Sequence, residues 1–106
     1  MAAEELLARA KAFALASLDF YRKLPKTPSA QVPGVQFLRS STSVSANYHA
    51  AQRGRSRAEF IAKLGTVVEE VDEAVLWLEY MRDGQIASDE QLLSGACQEF
   101  CVWGIT

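Results

Sequence analysis

RSSTSVSANYHAAQRGRSRAEF, residues 39–60, decides how the rest of the chain is read. Between Ser40 and Ala51 it holds five hydroxyl residues (Ser40, Ser41, Thr42, Ser43, Ser45) and three alanines (Ala46, Ala50, Ala51). Serine is a weak helix former because its hydroxyl competes for backbone hydrogen bonds. A helix here therefore needs outside support, and small side chains supply it by letting neighbouring axes approach the short end of the ~8–10 Å range. The larger residues Val35, Leu38, Val44 and Tyr48 are then its expected anchors. The alternative is a serine-rich flexible loop. Gly54 ends the pattern, and Ser56-Arg57-Ala58-Glu59 is a capping box: Ser56 accepts from the amide of Glu59, and the Glu59 carboxylate reaches back to the amide of Ser56.

Downstream, a helix over about 57–83 carries Phe60, Leu64, Val67, Val71, Ala74, Leu78 and Met81 at spacings of 4, 3, 4, 3, 4 and 3. That is an unbroken heptad seam. Ile61, Val68 and Val75 widen it enough to touch two neighbours, which favours a bundle over a two-stranded coiled coil. Leu76, Trp77 and Tyr80 lie off the seam. Apolar residues all round a helix imply burial on more than one side, so these three are the candidate oligomer interface. Asp83-Gly84 ends the helix, and Ser88-Asp89-Glu90-Gln91 reads as a second capping box. The last helix then turns Leu92, Leu93, Ala96, Cys97, Phe100 and Trp103 inward. Cys97 and Cys101, four apart on one helix face, read as buried or half-buried thiols, not as a disulfide or metal site.

Upstream, residues 3–24 form a helix with Leu6, Ala10, Phe13, Ser17, Tyr21 and Leu24 on one face and Leu7, Ala14 and Leu18 beside it. Pro25 stops it. Residues 25–32 read as an extended connection, with Pro33 opening the second helix, which runs to Gln52. The expected architecture is all-α: one domain over residues 1–106, an up-down antiparallel four-helix bundle with short connections.

The 106 residues leave room for one small domain. With 49% hydrophobic and 23% charged residues, the composition is that of a folded globular chain, not a disordered one. No run approaches the ~18 apolar residues of a membrane span. Charges at Glu4, Glu5, Arg9 and Lys11 break the order of a signal peptide. The expected location is the cytoplasm.

A search for chemistry finds little. His49 is the only histidine and has no Glu-x-x-His companion, so the di-metal bundle pattern is absent. Glu69, Glu70, Asp72 and Glu73 sit away from the seam and read as a solvated face. There is no phosphate-cradling glycine loop and no Ser or Cys nucleophile context. No catalytic residue, metal ligand or cofactor is assigned, and the chain reads as a non-enzyme.

Charge placement says more than the net charge of −2. Residues 39–63 hold five cations (Arg39, Arg53, Arg55, Arg57, Lys63) against Glu59, whereas residues 69–90 hold eight acids against Arg82. Cations are disfavoured at a helix N-terminus by up to ~1 kcal/mol, and Arg55 and Arg57 sit at one, which points to an anionic partner. The five cations are the candidate nucleic-acid contacts, acting through phosphates. The competing reading is that they pair with acids inside an oligomer or face water, since no aromatic platform is interleaved with them.

The segment Leu38 to Leu64 resembles the family of four-helix-bundle proteins encoded in intervening sequences of bacterial large-subunit ribosomal RNA genes. The likeness is carried by Arg39-Ser40, by Ser43, Val44, Ala46 and Asn47, and by the corner Arg55, Ser56, Glu59 and Phe60. Leu24-Pro25-Lys26 and Trp77-Leu78 extend it to about residues 18–82. The resemblance also reaches the accessory variability proteins of diversity-generating retroelements. It implies a homopentamer, RNA or DNA as a ligand, and a reverse transcriptase as partner where the gene is retroelement-associated. The net charge of −2 departs from the retroelement members, which are markedly basic, and CVWGIT reads as a shortened last helix. Two functions follow as expectations: an oligomeric nucleic-acid-binding accessory protein, or an oligomeric scaffold for protein partners that binds no nucleic acid.

Overall fold

The computed structural model describes residues 3–95 as an all-α bundle with no strand among them. Helix α1 spans Ala3–Arg22, α2 Pro28–Gln52 and α3 Arg57–Asp83. Residues 90–95 are helical again and begin α4. The bundle measures 44 × 21 × 20 Å, and its long axis matches the ~40 Å that the 27 residues of α3 span at 1.5 Å per residue.

Helix α2 is the central element, packed on α1 along one side and on α3 along the other. It is continuous through the serine-rich stretch, so the flexible-loop alternative is excluded. Its hydroxyls are satisfied locally. Ser40 donates to the carbonyls of Gln36 and Phe37 at 3.0 and 3.1 Å, Ser41 to that of Leu38 at 3.1 Å, and Thr42 to that of Leu38 at 2.8 Å. Ser17 of α1 does the same to Phe13 at 2.8 Å. Each bond returns a hydroxyl to its own helix, so Ser17, Ser40 and Ser41 can be wholly buried without an unpaired polar group.

The core contains Phe13, Phe20, Phe37, Val44, Tyr48, Val67, Val71, Leu78 and Met81. Phe20 and Phe37 meet edge to face with ring centroids 5.6 Å apart. At the α1–α2 end, a Cβ on Gly34 would stand 2.5 Å from Leu24 Cδ1, so any larger residue there requires the Leu24 side chain to move.

The seam of α3 is buried from Val67 through Met81, as its spacing requires, while Leu64 and Phe60 near its start are half-buried. In α2, Val44 and Tyr48 face inward as expected, but Leu38 is half-buried and Val35 faces solvent. The true α2 anchor is Phe37, between them.

Two boundaries differ from the sequence expectation. Helix α1 ends at Arg22, and tight bonds from Lys23 N to Phe20 O (3.2 Å) and Leu24 N to Tyr21 O (3.1 Å) close it before Pro25. Helix α2 opens at Pro28, five residues before Pro33, which lies inside the helix. Pro28 suits a first helical position because its missing N–H has no partner there. Pro33 forfeits one early bond, and Gln31 supports the first turn: it accepts from the Tyr21 hydroxyl at 2.8 Å and donates to the Pro25 carbonyl at 2.9 Å.

The end of α3 is a Schellman turn. Gly84 is the cap, Gln85 N bonds Arg82 O at 3.0 Å, and Ile86 N bonds Met81 O at 2.8 Å. Gln85, with φ 58°, takes the left-handed position that glycine usually fills, while Gly84 answers a close approach, its Cβ position lying 2.9 Å from the Tyr80 carbonyl. Ile86, Ala87, Leu92 and Leu93 then pack against the core. Asp89, not Ser88, caps α4, its carboxylate accepting from Leu92 N at 2.9 Å. Ala96, Cys97, Phe100, Cys101 and Trp103 lie outside the described residues. No helix among the described residues is long and apolar enough to cross a membrane.

Candidate nucleic-acid interface

The α2–α3 corner is built from two helix ends and four connecting residues. Arg53 N and Gly54 N close α2 by bonding the carbonyls of Ala50 and Ala51, each at 3.1 Å. Ser56 then starts α3: its extended backbone leaves the side chain free to accept from Glu59 N at 3.1 Å. The Glu59 carboxylate reaches back one residue further than the usual capping box, to Arg55 N at 2.6 Å and not to Ser56. These bonds fix the loop that presents Arg53 and Arg55.

A shallow cleft of ≈ 390 Å³ lies in this corner, lined by Ala50, Arg53, Gly54, Arg55, Glu59, Ala62 and Lys63. Glu59, Ala62 and Lys63 recur at three- to four-residue spacing and share one face of α3. The cleft thus gathers Arg53 and Arg55 from the loop and Lys63 from the helix wall. Among the described residues none of the three makes an ion pair. Glu59 is the one acid in the lining, so the cleft has a surplus of two positive charges. Arg57, the first residue of α3, is exposed and outside the lining.

Arg39 stands apart from the other four. Its guanidinium bridges α2 to α3 by pairing with Glu73 and with Glu70, the latter at 3.4 Å. The acidic face read as solvated is therefore split: Glu69 and Asp72 are exposed, while Glu70 and Glu73 are half-buried against Arg39. His49 is exposed in the last turn of α2. Among the described residues no group of three or more His, Cys, Asp or Glu side chains comes together to hold a metal ion.

The candidate interface residues lie at the other end of the same helix pair. Leu76 and Tyr80 are 47% and 58% exposed, and Val32 and Val35, which sequence reasoning missed, are 65% and 48% exposed. Val32, Val35 and Arg39 share one face of α2 at helical spacing, and Glu73, Leu76 and Tyr80 share one face of α3. The Arg39–Glu73 pair joins those two faces, so the four apolar side chains form one patch beside it. Trp77 is half-buried; its ring lies 5.4 Å from that of Tyr80, and its indole N–H is enclosed with no acceptor among the described residues.

Residues 4–100 match the model of the 23S rRNA-intervening sequence protein family. No curated protein matches the chain significantly. Among solved structures, the chain resembles a protein of unknown function from the S23 ribosomal protein family of Bacteroides thetaiotaomicron VPI-5482. The two share 27% identity with a TM-score of 0.87, over 99% of this chain and 98% of the other. The family match spans the capping corner, the basic cleft and the seam of α3 together, and the chain belongs to the 23S rRNA-intervening sequence protein family.

Proposed function

We propose that this chain is a non-enzymatic, oligomeric nucleic-acid-binding protein whose contact surface is the α2–α3 corner. The observation that carries this reading is the cleft itself. Arg53, Arg55 and Lys63 converge there without acidic partners to neutralise them, while the nearby Glu59 carboxylate is engaged with a backbone amide. Cations left unpaired on one concave surface attract phosphates, and guanidinium groups grip them with two parallel hydrogen bonds. Arg57 extends the basic surface along the first turn of α3. Arg39, neutralised by Glu70 and Glu73, serves the packing of α2 on α3.

Self-association is supported by the patch of Val32, Val35, Leu76 and Tyr80 with the half-buried Trp77. Four large apolar side chains in one place on a small bundle favour burial against another copy. A ring of five copies is what the sequence resemblance implies. A reverse transcriptase is a protein partner under this reading where the gene lies in a retroelement.

Filter binding of single-stranded RNA at two salt concentrations tests the reading. Neutralising three or four phosphates predicts about a 20- to 50-fold loss of affinity between about 50 and 200 mM salt. Binding that survives reversal of Arg53, Arg55 and Arg57 to glutamate overturns it. The second reading is an oligomeric scaffold in which the arginines pair with acids of neighbouring copies. The same apolar patch favours it, and it predicts no RNA binding and an oligomer that the triple reversal disrupts.

A further inference from the structure

We infer that the corner cleft is a receptor for a phosphate monoester dianion, such as the terminal phosphate of a nucleic-acid strand. The inference rests on the cleft being the nucleic-acid contact and specifies what it grips. Three features favour a chain end over the interior of a strand.

Charge is the first. The lining holds Arg53, Arg55 and Lys63 against Glu59, a surplus of two. A phosphate monoester carries close to two negative charges at neutral pH, its second pKa lying near ~6, while an internal diester carries one. The monoester matches the surplus; the diester leaves one cation unanswered.

Size is the second. The cleft of ≈ 390 Å³ sits at the small end of the ~300–1,000 Å³ range of ligand pockets, a size that suits one phosphorylated sugar unit. Its apolar lining consists of the methyl groups of Ala50 and Ala62, with no aromatic ring on which to stack a base. The geometry supplies phosphate recognition and no base readout.

Glu59 is the third. Its Oε2 is committed to the Arg55 amide, and its other oxygen has no partner among the described residues. A carboxylate beside a phosphate site repels surplus anions and accepts from a sugar hydroxyl. It repels the bound phosphate too, but a strand interior brings further phosphates on both sides of the bound one and a chain end on one side alone, so the penalty from neighbouring phosphates is smaller at an end.

The test compares single-stranded RNAs of about 12 nucleotides, one sequence, ending in a 5′-phosphate, a 3′-phosphate or hydroxyls at both ends. Adenosine monophosphate and adenosine are titrated separately and followed by amide chemical shifts. The expected result is about tenfold tighter binding of at least one phosphorylated end. Adenosine monophosphate, but not adenosine, is expected to shift the amides of Gly54, Arg55 and Lys63. The exposed substitutions Lys63→Gln and Arg55→Gln remove the preference without changing the melting temperature. Equal binding of all three RNAs, with no response to the monophosphate, overturns the inference and leaves nucleic-acid binding at the cleft standing. Failure of every RNA to bind, with the monophosphate still shifting those amides, supports the monoester site and overturns the nucleic-acid reading. No response to any probe overturns both.

Discussion

The carboxylate of Glu59 accepts the backbone N–H of Arg55 at 2.6 Å, so the acid that starts α3 is also the one acid lining the basic cleft. Its two roles oppose each other. Glu59→Gln weakens the cap and its favourable interaction with the helix dipole, lowering stability by about 0.5–1 kcal/mol in urea denaturation. The same change removes a negative charge from the cleft and tightens RNA binding by about threefold. Stability and affinity move in opposite directions, which a purely structural Glu59 would not produce.

Arg39 and the corner arginines separate by the same kind of measurement. Arg39→Ala breaks a partly exposed bridge to Glu70 and Glu73 and costs about 0.5–1 kcal/mol. It leaves RNA affinity within about twofold, because its charge is already neutralised. Arg53→Ala with Arg55→Ala does the reverse, weakening RNA binding by more than tenfold with little change in the urea midpoint.

Gln85 holds a left-handed backbone with φ 58°, where a side chain is disfavoured. Gln85→Gly relieves that cost, partly offset by the greater freedom of glycine in the unfolded chain, for a net gain of about 0.5–1 kcal/mol. In a domain of this size, thermal denaturation then shows a rise of about 2–8 °C.

Ser40 and Thr42 lie two residues apart on α2 and test the close packing of that helix. Ser40 has no exposed surface, and Ser40→Leu forces α2 away from its neighbours at a cost of about 1–3 kcal/mol. Thr42 faces solvent and bonds its own helix, so Thr42→Ala is neutral or gains about 0.5 kcal/mol.

The apolar patch is tested by charge. Leu76→Glu with Tyr80→Glu places two acids where side chains are already exposed, so the fold survives. Light scattering is expected to show the oligomer fall toward the 11.7 kDa of one chain, with helix content unchanged by circular dichroism. An unchanged mass overturns the assignment of this patch to self-association.

What was legible in the sequence was local. The Ser56–Glu59 cap, the α3 seam and the need of the serine-rich helix for close neighbours all follow from residues within two turns of one another. The start of α2 is not legible from its prolines, because the bonds of Gln31 to the Tyr21 hydroxyl and the Pro25 carbonyl that steady its first turn reach across a loop. Phe37 is not legible in the sequence, because the small residues around it have no strong periodicity and the spacing points inward through Val35. The fate of Arg39 was illegible for a related reason. Glu70 and Glu73 lie 31 and 34 positions away, and only the antiparallel docking of α2 on α3 brings them into reach. The same docking put Val32 and Val35 beside Leu76 and Tyr80.

The bridge from Arg39 to Glu73 divides the α2–α3 face into two ends, with the apolar patch at one and the cleft beyond the other. Under the proposed assembly into a closed ring, every copy repeats one orientation, so all the clefts lie toward a single rim. A strand seated in one cleft then meets the next as an intramolecular event, at an effective concentration set by the ring and not by the solution. In that proposed ring, weak single contacts add up to avid binding on one rim.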